Sequence, residues 1–306
     1  MNNNAKKITL SILASFIPVA VFLLSQMLVS FAAEIPMIRI LTEELLSTII
    51  AYPNASSIDY ATVNPPVELV TMIMNTVSFL AGITAVAILV VIIIARKKNP
   101  IKELNISKIK PLSALAIIGI AVGTSIVTSL AISLIPFPDS WLDSYEQNSS
   151  VLTEGNAVIN FISVVIVAPI AEEIVFRAMS YKALKGCMPT VLAMTLSSLV
   201  FGILHGTLIW ATYAFAIGML LCWIYDRFNS VLANITLHFA FNLLGIYADK
   251  LSALPDLIVF AIIMLFLAVI SPLCLFYILK TTKKNENAKN NDSNGNDSDI
   301  SLLGMF

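Results

Sequence analysis

Residues 67–95 read VELVTMIMNTVSFLAGITAVAILVVIIIA, and residues 96–110, which follow directly, read RKKNPIKELNISKIK. The first stretch carries one charge, Glu68, near its start, and exceeds the roughly 20 apolar residues at 1.5 Å rise each that a bilayer crossing needs. The second holds six basic residues against one acidic, Glu103, and short loops with that excess face the cytoplasm. The fold class that follows is an all-α, polytopic membrane protein.

Composition agrees with this. Of 306 residues, 58% are hydrophobic and 12% charged, against about 45–50% and about 25% in a soluble domain. A net charge of −1 leaves no basic excess to hold a phosphate backbone, which argues against nucleic-acid binding. Cys187, Cys222 and Cys274 stand apart with no CxxC pair and read as small apolar core residues.

Working outward from residue 95, eight segments read as spans: Ile8 to Ala33, Val67 to Ala95, Leu112 to Ile135, Asn156 to Leu184, Pro189 to His205, Thr207 to Tyr225, Ser230 to Ala248 and Asp256 to Leu279. Almost no gap separates the fifth from the sixth, where Gly202, Gly206 and Gly218 allow a tight turn, a short helix or close packing. Residues 34–66 hold four acidic residues and one basic, Arg39, and residues 136–155 hold four acidic residues and none basic, so both read as outer loops. Lys6, Lys7, Lys182, Lys185, Arg227, Lys280, Lys283 and Lys284 fall on the inner side, with both termini cytoplasmic. Ser30 and Ala32 resemble the small residues of a signal-cleavage site, but the apolar stretch is longer than a signal core, and the first span reads as an uncleaved anchor. Three regions result: an amino-terminal membrane region, 1–155, with three spans and two acidic outer loops; a second membrane region, 156–280; and a polar tail, 281–306, expected to be disordered.

Ionisable side chains within spans are costly, so they are functional candidates. They concentrate in the second region: Ala171-Glu-Glu-Ile-Val-Phe-Arg177, Phe201-Gly-Ile-Leu-His205 and His238-Phe-Ala-Phe-Asn242, which include both histidines of the chain. Glu173 lies one helical turn before Arg177, the favoured order for an ion pair, and Glu172 points about 100° away. That pair reads equally as a self-neutralising helix stabiliser. Glu172 and His205 are equidistant from the turn at Met188-Pro189, so the two can face each other across a hairpin. Counted at 1.5 Å per residue, Glu172 lies about 15 Å from Lys182 and His238 about 17 Å from Arg227, which are compatible depths. Twenty residues between His205 and Asp226 are few for finishing one helix and crossing back, so either His205 sits in the outer half or the sixth span is short. Pro169 lacks an amide donor and can kink its helix beside the carboxylate.

A carboxylate and a neutral imidazole can deprotonate a water between them, while a second histidine and an amide can donate to an oxyanion. His238 and Asn242 share a helix face and suit the second task, or equally form an interhelical hydrogen-bond pair. Together these groups point to amide hydrolysis.

The motifs EExxxR at Glu172 to Arg177, FxxxH at Phe201 to His205 and HxxxN at His238 to Asn242, in this order on spans, resemble the CPBP family of intramembrane proteases, also called Abi: CAAX proteases and bacteriocin-processing enzymes. The resemblance covers Asn156 to Asp249 and implies that 156–280 is the catalytic region. It implies that Glu172 and His205 activate the attacking water, that His238 and Asn242 form the oxyanion site, and that Glu173, Arg177 and Phe201 support them. The family is often labelled metalloprotease; with no HExxH, a divalent metal such as zinc on Glu172, His205 and His238 is conceivable without being required. The partners implied are membrane lipid and a peptide or membrane-anchored protein substrate in a bacterial cell membrane, or a membrane sensor protein. Two other readings stay open: a non-catalytic immunity or regulatory protein of the same fold, and a proton-coupled transporter. The second expects internal repeats and interrupted helices in both halves, and ionisable motifs in one half only argue against it.

Overall fold

The computed structural model describes residues 3–51, 67–153, 156–251 and 254–293, and among these it is all-helical. The helices are α1 (Asn3–Ala51), α2 (Val67–Ala95), the single turn α3 (Pro100–Glu103), α4 (Pro111–Leu134), α5 (Asp139–Thr153), α6 (Ala157–Lys185), α7 (Thr190–Ile203), α8 (Leu208–Phe228), α9 (Val231–Leu251) and α10 (residues 256–293). Six of them contain stretches long and apolar enough to cross a membrane, within α1, α2, α4, α6, α8 and α10; two shorter apolar helices lie within α7 and α9. The protein is therefore an integral, multi-pass membrane protein. Large apolar side chains such as Leu13, Leu28, Val91, Leu115, Leu257 and Phe276 lie exposed on the bundle's outside, where lipid replaces water as their solvent.

Two buried clusters hold the bundle. Phe22, Leu89, Val175, Phe176, Tyr181, Phe201 and Tyr225 join α1, α2, α6, α7 and α8, while Ile117, Leu221, Ile224, Leu237 and Ile278 join α4, α8, α9 and α10. The amino-terminal helices are thus part of one core with the motif-bearing ones. In α7 and α8 the close approach depends on Gly202, where an added Cβ would stand 2.6 Å from the Ala211 carbonyl oxygen. Gly206, with φ +86°, makes the turn between them in a region where L side chains are rare.

Several boundaries differ from the sequence reading. The first helix runs through Ala33 to Ala51, so part of the first outer loop is helical; Arg39 and Glu43 pair one turn apart at 2.9 Å, and extending an existing helix costs far less than nucleating one. Residues 52–66 lie outside the described residues. The second outer loop contains α5, whose Asn148 lines the central cavity. The polar tail is helical as far as Ser293, by propagation from the apolar part of α10, and residues 294–306 lie outside the described residues. Finally, α7 stops at Ile203 and spans only about 21 Å, so His205 sits in the turn after it. That resolves the shortage of residues before Asp226: α7 ends early, and α8 keeps a full 21.

One end of the bundle is closed by a polar network. Lys182 donates to the Glu103 carbonyl at 2.7 Å, Lys185 pairs with Asp226 at 2.6 Å, and the Tyr181 hydroxyl donates to the same carboxylate at 2.8 Å. Asn105 donates to the Tyr225 hydroxyl and to Asn229, and Ser107 and Ser230 tie the loop after α3 to the start of α9. All of this lies at the basic end, where residues 96–110 run.

Candidate active site

Two stretches of α6, Phe161–Val167 and Glu173–Tyr181, are wound as π-helix around an α-helical centre that contains Pro169 and Glu172. Such windings put one extra residue in a turn and are frequent at functional sites. In the first, the Ala168 amide bonds back to the Ser163 carbonyl, five residues earlier. The next donor in that register would be residue 169, which would reach Val164, but proline has no N–H. Asn242 on α9 fills the vacancy, donating from Nδ2 to the Val164 carbonyl at 2.9 Å. One of its two amide hydrogens is thereby committed to α6, leaving the other for a ligand.

In the second π stretch Glu173 is completely buried. Its carboxylate accepts from Arg177 Nη1 at 3.0 Å, His238 Nδ1 at 2.8 Å and Asn234 Nδ2 at 3.2 Å. Glu173 and Arg177 do form the pair that helical spacing predicts, but the pair is not closed on itself, because it also fixes the ring of His238. Arg177, equally buried, lays its guanidinium 4.2 Å over the centre of the Phe201 ring. That ring in turn stands edge-on to His205 at 4.6 Å and to His238 at 6.0 Å. Phe201 therefore packs between the Arg177 guanidinium and the two imidazoles.

Above this layer lies a cavity of about 490 Å³. Glu172, Phe201, His205, His238 and Asn242 all line it, whereas Glu173 and Arg177 lie beneath its floor. Glu172 retains 18% exposure and brings Oε2 to 3.7 Å from His238 Nε2. His205 Nδ1 meets the Phe201 carbonyl at 2.7 Å. A carbonyl only accepts, so Nδ1 carries the proton and the Nε2 lone pair of the neutral ring is left for the cavity. For His238, Nδ1 donates to the Glu173 carboxylate, so Nε2 accepts when the ring is neutral and donates only in the imidazolium, whose charge then lies between two carboxylates.

The sequence reading passed over Asn234. It lies one turn before His238 as Asn242 lies one turn after, so the four-residue spacing that singled out Asn242 was the available signal. Among the described residues no three His, Cys, Asp or Glu side chains are arranged to hold a metal ion. Glu172, His205 and His238 share a cavity but do not fit the zinc site considered above.

Asn242→Ala should loosen α6 and reduce thermal stability by about 1–3 kcal/mol, the cost of leaving a partly buried carbonyl unpaired. In a Pro169→Ala background the backbone regains its donor and the same change should cost less. A double-mutant cycle on melting in detergent measures the difference; equal costs in both backgrounds would mean that Asn242 does not stand in for the proline amide.

A family model described as "Rce1-like: Type II CAAX prenyl endopeptidase Rce1-like" matches residues 154–244. That interval holds all three motifs and most of the cavity floor. No curated protein and no solved structure matches the chain. Over residues 154–244 the chain is accordingly similar to Rce1-like type II CAAX prenyl endopeptidases, of the CPBP family, and that similarity suggests a protease.

Proposed function

We propose that the protein is an intramembrane endopeptidase that hydrolyses a peptide bond of a membrane-associated peptide or protein within this cavity. The observation that carries the reading is the convergence of Glu172, His205 and His238 on one polar-floored chamber, with the free nitrogen of His205 set by its bond to Phe201. Glu172 and His205 take the proton of the attacking water. Charge then develops on the carbonyl oxygen of the scissile bond, and His238 as imidazolium, with the remaining amide hydrogen of Asn242, donates to it. Glu173 is a positioning residue: it holds His238 by Nδ1, so that Nε2 faces the substrate. Return of the proton to the leaving amine completes the cycle without a covalent intermediate on the enzyme.

In this reading 156–280 is the catalytic region, and 1–155 supplies part of the chamber wall through Phe22, Gln26, Asn75 and Asn148. The test is mass spectrometry of membrane peptides from cells expressing the native protein or Glu172→Ala, with and without a chelator. Peptides should appear only with the native protein and in both chelator arms. Identical peptide patterns from the two proteins would favour a partner that acts by contact alone.

A further inference from the structure

Three polar residues stand one turn apart along α9: Asn234, His238 and Asn242. His238 and Asn242 line the cavity, whereas Asn234 is completely buried and does not. Its amide nitrogen lies 3.2 Å from Glu173 Oε2 and 2.7 Å from the Leu221 carbonyl of α8. Both neighbours only accept, so the nitrogen and not the oxygen must face them, and each takes one of its two hydrogens. That orientation has a cost. Asn234 Oδ1 is buried and, among the described residues, has no hydrogen-bond partner. A leucine of similar shape would leave no such orphan, so packing of α9 on α8 is a poor reason for an amide at this position. The Leu221 carbonyl supplies no better one, since a carbonyl in mid-helix already accepts from the amide four residues on. The remaining neighbour is Glu173.

The two oxygens of that carboxylate divide their partners. Oε1 takes Arg177 Nη1 and His238 Nδ1, and Oε2 takes Asn234. The terminal torsion of a glutamate is soft, so a carboxylate held through one oxygen turns readily, while one held through both has a fixed plane. The plane sets where the lone pairs of Oε1 point, and so whether the 2.8 Å bond to His238 and the 3.0 Å bond to Arg177 are kept together. We infer that Asn234 is a positioning residue of the hydrolytic site. It pins Oε2 of Glu173 and thereby holds the His238 ring with Nε2 toward the cavity and Glu172. The consequence for turnover rests on the endopeptidase reading above; the effect on the ring stands on geometry alone. A neutral donor also suits the place, because it fixes the carboxylate without adding a second cation to a buried charge that Arg177 already matches.

The test uses the full chain purified in detergent, as Asn234→Leu and separately as Asn234→Ala, which remove the donor with different effects on packing. Turnover of a quenched fluorescent peptide should fall about 10–100-fold in kcat, as when the partner that orients a functional histidine is lost. KM should change by less than about twofold, because Asn234 does not line the cavity. A residue that only packed α9 would lower the melting temperature and leave kcat of the folded molecules unchanged. The direct readout is nuclear magnetic resonance of protein isotopically labelled in the histidine ring nitrogens, since the chain has two such rings and His205→Gln tells them apart. The Nδ1 proton of His238, bonded to a carboxylate, should resonate far downfield in the native protein. In both Asn234 variants it should move upfield or be lost to exchange with water, as it should in Glu173→Gln, while the His205 signals stay in place. A His238 signal that stays put or moves further downfield, or an unchanged kcat, would overturn the inference. Failure of both variants to accumulate would do so too, by making Asn234 a residue of the fold. The two readings fail separately. Full turnover in Glu172→Gln with a displaced His238 signal would sink the enzyme reading and keep Asn234 as the support of the ring; Glu172-dependent turnover with an undisplaced signal would do the reverse.

Discussion

Glu172→Gln should lower the rate of peptide cleavage by about 10²–10⁴-fold, the contribution of a positioned general base, while the protein still accumulates in the membrane. The amide keeps the shape of the side chain and removes its ability to take a proton. Accumulation is expected because Glu172 is partly exposed to the cavity, at 18%, and is not a member of the sealed network around Glu173. His205→Ala should cost a similar factor. The double variant should be scarcely worse than either single one, since both groups act on one water and their effects do not add. Turnover of a quenched fluorescent peptide by purified protein in detergent, with elution volume as the check on folding, measures all three. Full activity in Glu172→Gln would remove this residue from the chemistry.

Arg177→Ala should have the largest effect on folding. It leaves the Glu173 carboxylate buried without its cation, and breaking a buried pair by removing one partner costs about 3–5 kcal/mol. The Phe201 ring also loses the guanidinium that covers it at 4.2 Å, and with it part of the support for both histidines. Little protein should reach the membrane. The double variant Glu173→Gln with Arg177→Met removes both charges together, and such replacements are often neutral for stability, so accumulation should return. Cleavage should not, because His238 then has no carboxylate to fix its ring. Thermal melting in detergent and turnover, read side by side, separate the two effects. An active double variant would show that Glu173 has no positioning role.

How much of this was legible in the sequence varies by element. Val67–Ala95 was bounded to the residue, since an apolar run flanked by proline on one side and by arginine and lysine on the other leaves little choice. The extension of α1 to Ala51 and the whole of α5 were not, because polar helices at a membrane surface carry no hydropathy signal and owe their form to the spans they adjoin. The π windings of α6 were invisible for a different reason. In a segment that is apolar on every side, periodicity carries no phase, so an extra residue per turn leaves no mark. Local spacing found the Glu173 and Arg177 pair but missed that His238, 65 residues further on, shares the same carboxylate. A rule about neighbours four residues apart sees only one helix at a time. Glu172 and His205 both line one cavity, as symmetry about the hairpin suggested they could. The early end of α7, which puts His205 in a turn, depended on Gly206 adopting a positive φ and could not be told from a continuous helix.

The loose winding of Glu173–Tyr181 bears on how this chain tolerates insertions and deletions. Removing one residue from that stretch would let it relax to ordinary α-helix with its flanks still in register, because the residue lost is the extra one that the π winding holds. A cut between Glu173 and Arg177 would shorten the spacing of that pair by one position, while Tyr181 and Lys182 would keep the anchors that close the basic end. Among descendants of this gene, length changes should therefore collect in the segments before α2 and after α10 and be purged between Glu173 and Arg177, even where individual side chains drift.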